Sequence, residues 1–419
     1  MQSTEMNETD VNQNVVVIGA SHGGVNFGFS LRQQGWQGSI TLVDSDPELP
    51  YHRPPLSKKT LQSEECLSTP LKAEKAYTDS KIDLRLGVTV DAIDRENKQL
   101  TLNGGESLPY DKLVIATGCS AFIPPIPGLL SQSKYFAMRT FADVQAIQAA
   151  LNESNDKEVV IIGGGYIGLE SASSFVSLGA KVTVIEKQEK ILSRVTSSVM
   201  SEFLSDLHVS KGIALETGKD VVEIKQVGCK QLVVCGDGSE YSSDFILVGV
   251  GVRLNTQLAI NAGLVVEEGI KVNGVCQTSD PDIFAIGDCT KHYSTVYDRW
   301  IRLESVQNAV DQAKGAAQFL AKGTSPAPVV PWFWSDQYEY KLQIVGLSQG
   351  YDELVVRKED EGQFSVWYFL GERLLCVEAV NHTKSYVLGT QIIKKGLLVD
   401  KAAISDSSVA LSKELIIKQ

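Results

Sequence analysis

Lys157 to Lys187, KEVVIIGGGYIGLESASSFVSLGAKVTVIEK, carries residues whose types and spacing can do chemistry. Gly163-x-Gly165-x-x-Gly168 follows a short apolar run, Val159 to Ile162, and opens a helical segment that stops at Gly179. A second apolar run, Val182 to Ile185, ends in Glu186. This is the pattern of a complete βαβ unit for a dinucleotide. Its glycines permit the tight turn, close backbone approach to a pyrophosphate, and close packing of helix on strand. The unpaired N–H groups and the positive end of the helix dipole then face the phosphates. Glu186 stands about 20 residues past the glycines, where a carboxylate accepts from a ribose 2′-hydroxyl and repels a 2′-phosphate. The expectation is NAD rather than NADP, unless Lys187 or Lys190 close by accommodates the phosphate.

The same pattern occurs once upstream. Val15 to Ile18 leads into GASHGG (19–24), a helix to about Gln34, a stop at Gly35, and a strand Ile40 to Val43 ending in Asp44. Gly19, Gly24 and Asp44 match the motif, while Ser21 stands where the middle glycine belongs. Serine is small enough to fit there, and its hydroxyl can bond a phosphate oxygen. His22 at the mouth of the turn is either a polar residue at a helix N-terminus or a group that acts on the ligand. Two such units mean two nucleotides, and one hydride carrier needs a second redox centre, usually a tightly held flavin. Two further strands support a flavin. YDKLVIATG (110–118) closes in Ala116-Thr117-Gly118, which in two-dinucleotide flavoproteins marks the crossing between domains. DIFAIGD (282–288) closes in Asp288, which in such proteins meets the ribityl chain beside a backbone N–H on the flavin's phosphate. FILVGVG (245–251) reads as the return strand. The expected division is a discontinuous first domain, 1–116 with 251–326, a second domain, 117–250, and a sheet domain, 327–419, beyond the linker AKGTSPAP.

Composition narrows the function classes. A chain of 419 residues can form two or three domains with full cores. A net charge of −12 argues against nucleic acid as a partner and does not draw the chain to anionic membranes. Seven scattered cysteines form no CxxC pair, so no redox dithiol, zinc site or disulfide framework is expected. Free thiols fit a reducing compartment. The polar, acidic start, MQSTEMNETDVNQN, has no apolar core and reads as a frayed tail rather than a signal peptide or anchor. No apolar run approaches a membrane span. The expected location is the cytoplasm, with no membrane partner and no metal site.

Several rarer motifs identify a family. PYHRPPLSK (50–58), GGGYIGLE (163–170), ILSR (191–194), FAIGD (284–288), RLES (302–305) and PWFWSDQY (331–338) together resemble the oxygenase-coupled, FAD-dependent ferredoxin reductases, the putidaredoxin reductase and aromatic-ring dioxygenase reductase type. The resemblance runs from Val15 to the mid-390s. It implies an α/β chain of glutathione-reductase-like architecture: two Rossmann-like dinucleotide-binding domains plus a C-terminal α+β domain whose antiparallel sheet covers the flavin. It also implies FAD in the first site, NADH in the second, and a [2Fe–2S] ferredoxin as the acceptor that serves an oxygenase of P-450 or Rieske type.

Site residues follow from that likeness. The prolines of RPPLSK stiffen the turn, so Arg53 and Lys58 are held rather than freely solvated. Lys58 is implied at the flavin N5 region, where a fixed ammonium favours the reduced ring. Glu170 is implied against the nicotinamide, although a carboxylate near a helix N-terminus is favourable by the dipole alone. Asp288 is the leading FAD contact, and a helix over Leu303 to Leu320 is expected to aim its N-terminus at the flavin's pyrimidine edge. Trp332 and Trp334 stand beside the flavin or in the core of the sheet domain. Arg194 meets the NAD phosphates or makes an exposed ion pair. Lys58, Glu170 and Trp334 are thus the catalytic candidates. A disulfide reductase needs a CxxC, and a single-cysteine oxidase or peroxidase needs a cysteine in the RPPLSK turn, which Cys66 lies beyond. A redox-signalling protein of the apoptosis-inducing-factor kind shares the architecture, and rapid NADH-dependent turnover would separate it.

Overall fold

The computed structural model describes residues 12–412, so the first eleven positions of the expected frayed tail lie outside the described residues. Two compact units form. One holds the chain through His52, Thr69–Ser120 and Arg253–Val329; the other holds Arg53–Ser68, Ala121–Val252 and the chain from Val330.

The first unit is built on a parallel sheet. Val15–Ile18 lies between Ile40–Asp44 and Lys112–Ile115, with Ile82–Leu86 and Ile283–Ala285 at the two edges. Both faces of a parallel sheet are covered, so the inner strands are apolar runs rather than alternating ones; all four residues of Val15–Ile18 are buried. Helix His22–Gln33 and helix Val306–Lys322 share one face, where Phe27 and Leu31 meet Ala313, Ala316, Ala317 and Leu320 in one apolar cluster. The alanines let these helices approach closely. Ser305 caps the second helix by accepting from the Asn308 N–H at 3.1 Å, so the helix begins at Val306 rather than Leu303. The other face is closed by the antiparallel strands Val90–Asp94, Gln99–Leu102 and Ser107–Pro109.

The second unit repeats that plan. Glu158–Ile162 lies between Lys181–Glu186 and Phe245–Val248, with Ala214–Thr217 and Tyr135–Phe136 at the edges, all parallel. Val221–Val227, Lys230–Cys235 and Glu240–Ser243 form the matching antiparallel meander. The same unit carries the expected C-terminal sheet, five antiparallel strands in the order Trp332–Gln337, Tyr340–Gly346, Arg373–Val380, Gln363–Leu370, Glu353–Asp360. Helix Thr383–Lys395 lies across it so closely that a Cβ on Gly389 would fall 2.6 Å from Val377 Cγ2.

Residues 53–68 depart from the expected division, for they pack in the second unit. Side-chain bonds explain this: Gln148 Nε2 donates to the carbonyls of Leu61 and Ser63, both at 2.8 Å, and Ser174 Oγ donates to the Ser57 carbonyl at 2.7 Å. Among the described residues no helix is long and apolar enough to cross a membrane. No group of three or more His, Cys, Asp or Glu side chains that could hold a metal ion occurs among them either.

Arg357 ties down the last described segment. Its guanidinium is almost fully buried and donates to the carbonyls of Ile404, Asp406 and Val409 at 3.0, 2.8 and 2.9 Å, with Glu359 as its ion partner. Arg357→Met keeps the apolar stem but orphans those acceptors. We expect a loss of about 2–4 kcal/mol in the unfolding of the second unit, read by denaturant titration, with early proteolysis at 401–409; an unchanged midpoint and cleavage pattern would show that the clamp is idle.

Candidate functional site

In the first unit the glycine turn is pressed against the end of the neighbouring strand. Gly19 has φ +104°, and a Cβ there would lie 2.3 Å from the Ala116 carbonyl oxygen. A Cβ on Gly24 would lie 1.9 Å from the Gly19 oxygen, so neither position tolerates a side chain. Ser21 is the N-cap residue and His22 the first helical one; His22 is buried, with its ring centroid 5.5 Å from that of His52. Asp44, at the tip of its strand, accepts from the Ala20 N–H at 2.5 Å through one oxygen and from the Asp46 N–H at 2.9 Å through the other. The carboxylate is thereby aimed at the turn. Ala116 continues the ladder to the Ile18 carbonyl, and Thr117 exchanges bonds with Asn255: its hydroxyl donates to the Asn255 carbonyl at 2.6 Å and its own carbonyl accepts from Asn255 Nδ2 at 2.9 Å. Gly118 completes the crossing by accepting from the Asn255 N–H at 3.0 Å.

Asp288 accepts from the Cys119 thiol at 3.2 Å. Beside it the Gly287 N–H is already committed, donating to Gln312 Oε1 at 2.7 Å; Gln312 also bonds Thr290 and His292. Gln312 is a residue that sequence reasoning missed. A glutamine in the middle of a helix carries no motif, and only the fold brings it to the Gly-Asp segment.

The second turn repeats the first. Gly163 has φ +110° and a Cβ there would lie 2.5 Å from the Gly249 oxygen; a Cβ on Gly168 would lie 2.3 Å from the Gly163 oxygen. Gly165, by contrast, is the N-cap of helix Tyr166–Ser177, and a Cβ there would meet nothing nearer than the Gly249 oxygen at 3.9 Å. Protein packing does not require glycine at 165, so the open space suits a ligand's approach to backbone. Glu186 accepts from the Gly164 N–H at 2.7 Å and from the Gln188 N–H at 2.8 Å, the same anchoring as Asp44. Each carboxylate oxygen has lone pairs left over for a ribose hydroxyl. Lys187 pairs with Asp220 at 2.9 Å and Lys190 with Glu202 at 2.8 Å, so both neighbouring ammonium groups have acidic partners of their own. A dinucleotide fits these residues in both turns.

Lys58, expected at the flavin N5 region, and Glu170, expected against the nicotinamide, bond each other. Lys58 Nζ lies 2.5 Å from Glu170 Oε2. The same oxygen accepts from Ser57 Oγ at 2.7 Å, and Oε1 accepts from Ser335 Oγ at 2.7 Å. Glu170 is only 3% exposed, and a buried carboxylate is tolerable only when paired and hydrogen-bonded in this way. The lysine is therefore half of an ion pair rather than an isolated positive charge. Ser57 and Ser335 were missed: they sit inside PYHRPPLSK and PWFWSDQY, but a small hydroxyl shows no role until its acceptor is placed. Arg53 donates to the Arg139 carbonyl at 2.6 Å, which fixes it as the prolines suggested.

Trp332 and Trp334 alternate along an edge strand and so share a face, with ring centroids 5.4 Å apart, both half-buried. Phe333 points the other way and meets the Tyr166 ring at 4.9 Å. Arg194 is exposed and makes no ion pair among the described residues, so the second of its two expected roles is not seen. None of the seven cysteines, all among the described residues, forms a disulfide. Burial pushes the Cys66 thiol up, away from the thiolate that a nucleophile needs.

Comparison with known proteins agrees with this geometry. The family model described as pyridine nucleotide-disulphide oxidoreductase matches residues 13–313, and one described as reductase C-terminal matches 332–415. The chain is 40% identical to putidaredoxin reductase CamA of Pseudomonas putida, over 97% of each chain. It is 36% identical to the 5,5′-dehydrodivanillate O-demethylase ferredoxin reductase subunit of a Sphingobium species, over 96% of this chain and 98% of that one. Its fold superposes with a TM-score of 0.91 on a chain of the covalent putidaredoxin reductase–putidaredoxin complex, at 39% identity, covering 96% of this chain and 98% of that one.

The middle and last glycine positions of the second turn separate folding from binding. Gly165→Ala should change stability by about 1 kcal/mol or less yet weaken dinucleotide binding about tenfold or more. Gly168→Ala should cost about 1–3 kcal/mol or more through overpacking. Thermal melts and nucleotide titration of both variants check this, and equal losses of stability would refute the distinction.

Proposed function

The chain belongs to the pyridine nucleotide-disulphide oxidoreductase family, and from that premise we propose that it is an FAD-dependent NADH:ferredoxin reductase passing electrons to a [2Fe–2S] ferredoxin that serves an oxygenase. The observation that carries this reading is the repeated glycine turn, each copy closed by a carboxylate anchored on its backbone, in a chain whose seven cysteines form no disulfide. FAD, when bound, links a two-electron hydride donor to a one-electron acceptor.

The chain's own residues have separable tasks. Gly19, Ser21 and Gly24 with the helix behind them hold one pyrophosphate; Gly163, Gly165 and Gly168 hold the other. Asp44 and Glu186 take the ribose hydroxyls. Asp288, with the Ala116-Thr117-Gly118 crossing, belongs to the FAD side, and His22 lines the same turn. Glu170 holds Lys58 at a defined position through one strong, charge-assisted bond and is itself fixed by two serine hydroxyls. Both its oxygens are engaged in that way, so Glu170 serves as an orienting group for Lys58. Arg53 keeps the Lys58 turn in register through its bond to the Arg139 carbonyl. Trp332 and Trp334 present aromatic faces suited to shielding a reacting ring from water, with Trp334 the catalytic candidate. Arg194 reaches for the NAD phosphates. With no disulfide among the seven cysteines, the cytoplasm is the compartment we propose.

The test is direct. The purified protein should be yellow, release FAD rather than FMN on denaturation, and reduce cytochrome c with NADH only when a [2Fe–2S] ferredoxin is added. Release of FMN, or the lack of any ferredoxin-dependent turnover with candidate ferredoxins, would sink the reading.

Coenzyme preference gives a second check. The Glu186 carboxylate faces the place of a 2′-phosphate, while Lys187 and Lys190 are paired with Asp220 and Glu202. NADH should therefore be preferred, and Glu186→Ala should narrow the ratio of kcat/KM values by about tenfold, ~1.4 kcal/mol. Equal kcat/KM for NADH and NADPH in the unaltered protein would show that one of the lysines takes the phosphate.

A further inference from the structure

We infer that Glu378 is a positioning residue for the NADH site: through Thr196 it holds the strap 191–197 against the second glycine turn, and so sets Glu186 and Arg194. The inference rests on the proposed use of that turn for NADH.

The strap has two anchors. At its start the Leu192 N–H donates to the Gly164 carbonyl at 3.1 Å, and Ile191 Cγ2 stands 2.7 Å from where a Gly164 Cβ would be. The N–H of that same Gly164 donates to Glu186 Oε2 at 2.7 Å. One peptide segment thus joins the ribose-accepting carboxylate to the strap. At its other end the Thr196 hydroxyl donates to Glu378 Oε2 at 2.6 Å, on strand Arg373–Val380. Arg194 lies between the anchors. Leu192 holds φ +54°, a left-handed conformation that a branched side chain adopts only when its surroundings impose it. A strap under such strain needs both ends held.

Glu378 is an unusual anchor. Its side chain is fully buried. Oε2 also accepts from the Tyr368 hydroxyl at 2.6 Å, and that hydroxyl lies 2.8 Å from Ser197 Oγ, the next residue of the strap. Oε1 has no hydrogen-bond partner, and no cation pairs with the carboxylate among the described residues. The titratable groups that face it are Tyr368 from the adjacent strand, Tyr166 from the helix of the glycine turn, and Cys376 from its own strand; each is pushed up, first by burial and then by the Glu378 charge. Burial without a counter-charge moves the Glu378 carboxyl itself up to about 7, against the opposing pull of Thr196 and Tyr368. In its ionised form the bond to Thr196 is charge-assisted and roughly twice as strong as in its neutral form. The strap is therefore gripped more firmly above neutral pH than below it, and leaving one carboxylate oxygen unsatisfied is the stability cost of that grip.

Glu378→Gln keeps shape and the accepting oxygen but removes the charge. NADH oxidation is followed with ferricyanide, which needs no ferredoxin, from about pH 6 to about pH 8, together with thermal melts. At the alkaline end the variant should show KM for NADH raised about three- to tenfold, with kcat within about twofold. The KM of the unaltered protein should climb by a similar factor as pH falls through about 7, and that of the variant should stay flat. The melts should move the opposite way. A carboxyl raised above its unfolded value contributes stability in full only below that unfolded value and loses it as pH rises through the folded pKa, so Glu378→Gln should melt higher than the unaltered protein at the alkaline end, by a gap that narrows as pH falls. A more stable protein that binds NADH less well is not what loss of a merely structural contact produces. An unchanged KM, or the same pH step in the variant, would overturn the inference. Should Glu378→Gln lose its flavin, Thr196→Val carries the test with the same expected KM and the same overturning result. An unaltered protein that oxidises no NADH at all refutes the proposed activity instead, which keeps the two failures apart.

Discussion

The pressure of each glycine turn on the neighbouring strand's last carbonyl governs the layout of both units. Gly19 lies against the Ala116 oxygen and Gly163 against the Gly249 oxygen, and in each case a side chain would overlap backbone that cannot move aside. That crowding puts the open side of the turn toward the helix N-terminus, where the unpaired N–H groups are. The anchored acids complete the arrangement, for Asp44 and Glu186 each accept from the backbone N–H next to the first glycine. One local geometry, used twice, yields two sites of the same chemical kind.

Two buried carboxylates in the second unit show how differently the same group can be held. Glu170 has a lysine and two serine hydroxyls around it, so its charge is balanced and its position defined. Glu378 has two hydroxyls on one oxygen and nothing on the other. Burial costs an unbalanced carboxylate far more than a balanced one, which is why Glu378 stands at about 7 despite the opposing bonds from Thr196 and Tyr368. The first suits permanent positioning of a lysine, and the second suits a grip that responds to protons.

The C-terminal sheet shares a unit with the second glycine turn because polar side chains, rather than an apolar seam alone, join them: Ser335 to Glu170, Thr196 to Glu378, and His208 to Gln337 at 2.7 Å. Burial lowers the His208 pKa, so this contact is between neutral groups. Residues 53–68 join the same unit by similar bonds. Side chains from four separate stretches of chain therefore meet around Glu170 and the strap.

Local pattern alone was enough for the two βαβ units, their glycines, Asp44, Glu186, and the apolar strands on either side, because a Rossmann turn depends on residues within a few positions of one another and on a period that can be read along the chain. The rare motifs were enough for the family and for naming Lys58, Glu170, Trp332 and Trp334. What the chain could not show is which of these residues meet. Lys58 was expected at the flavin N5 region and Glu170 against the nicotinamide, and only the fold shows that they bond each other, 112 positions apart. Gln312 behind Gly287, Ser335 behind Glu170 and Glu378 behind Thr196 carry no signature, since a single polar side chain gains meaning only from its partner. Pairing across such separations is settled by how sheets and helices stack, and the packing that buries a carboxylate also decides whether its charge is matched.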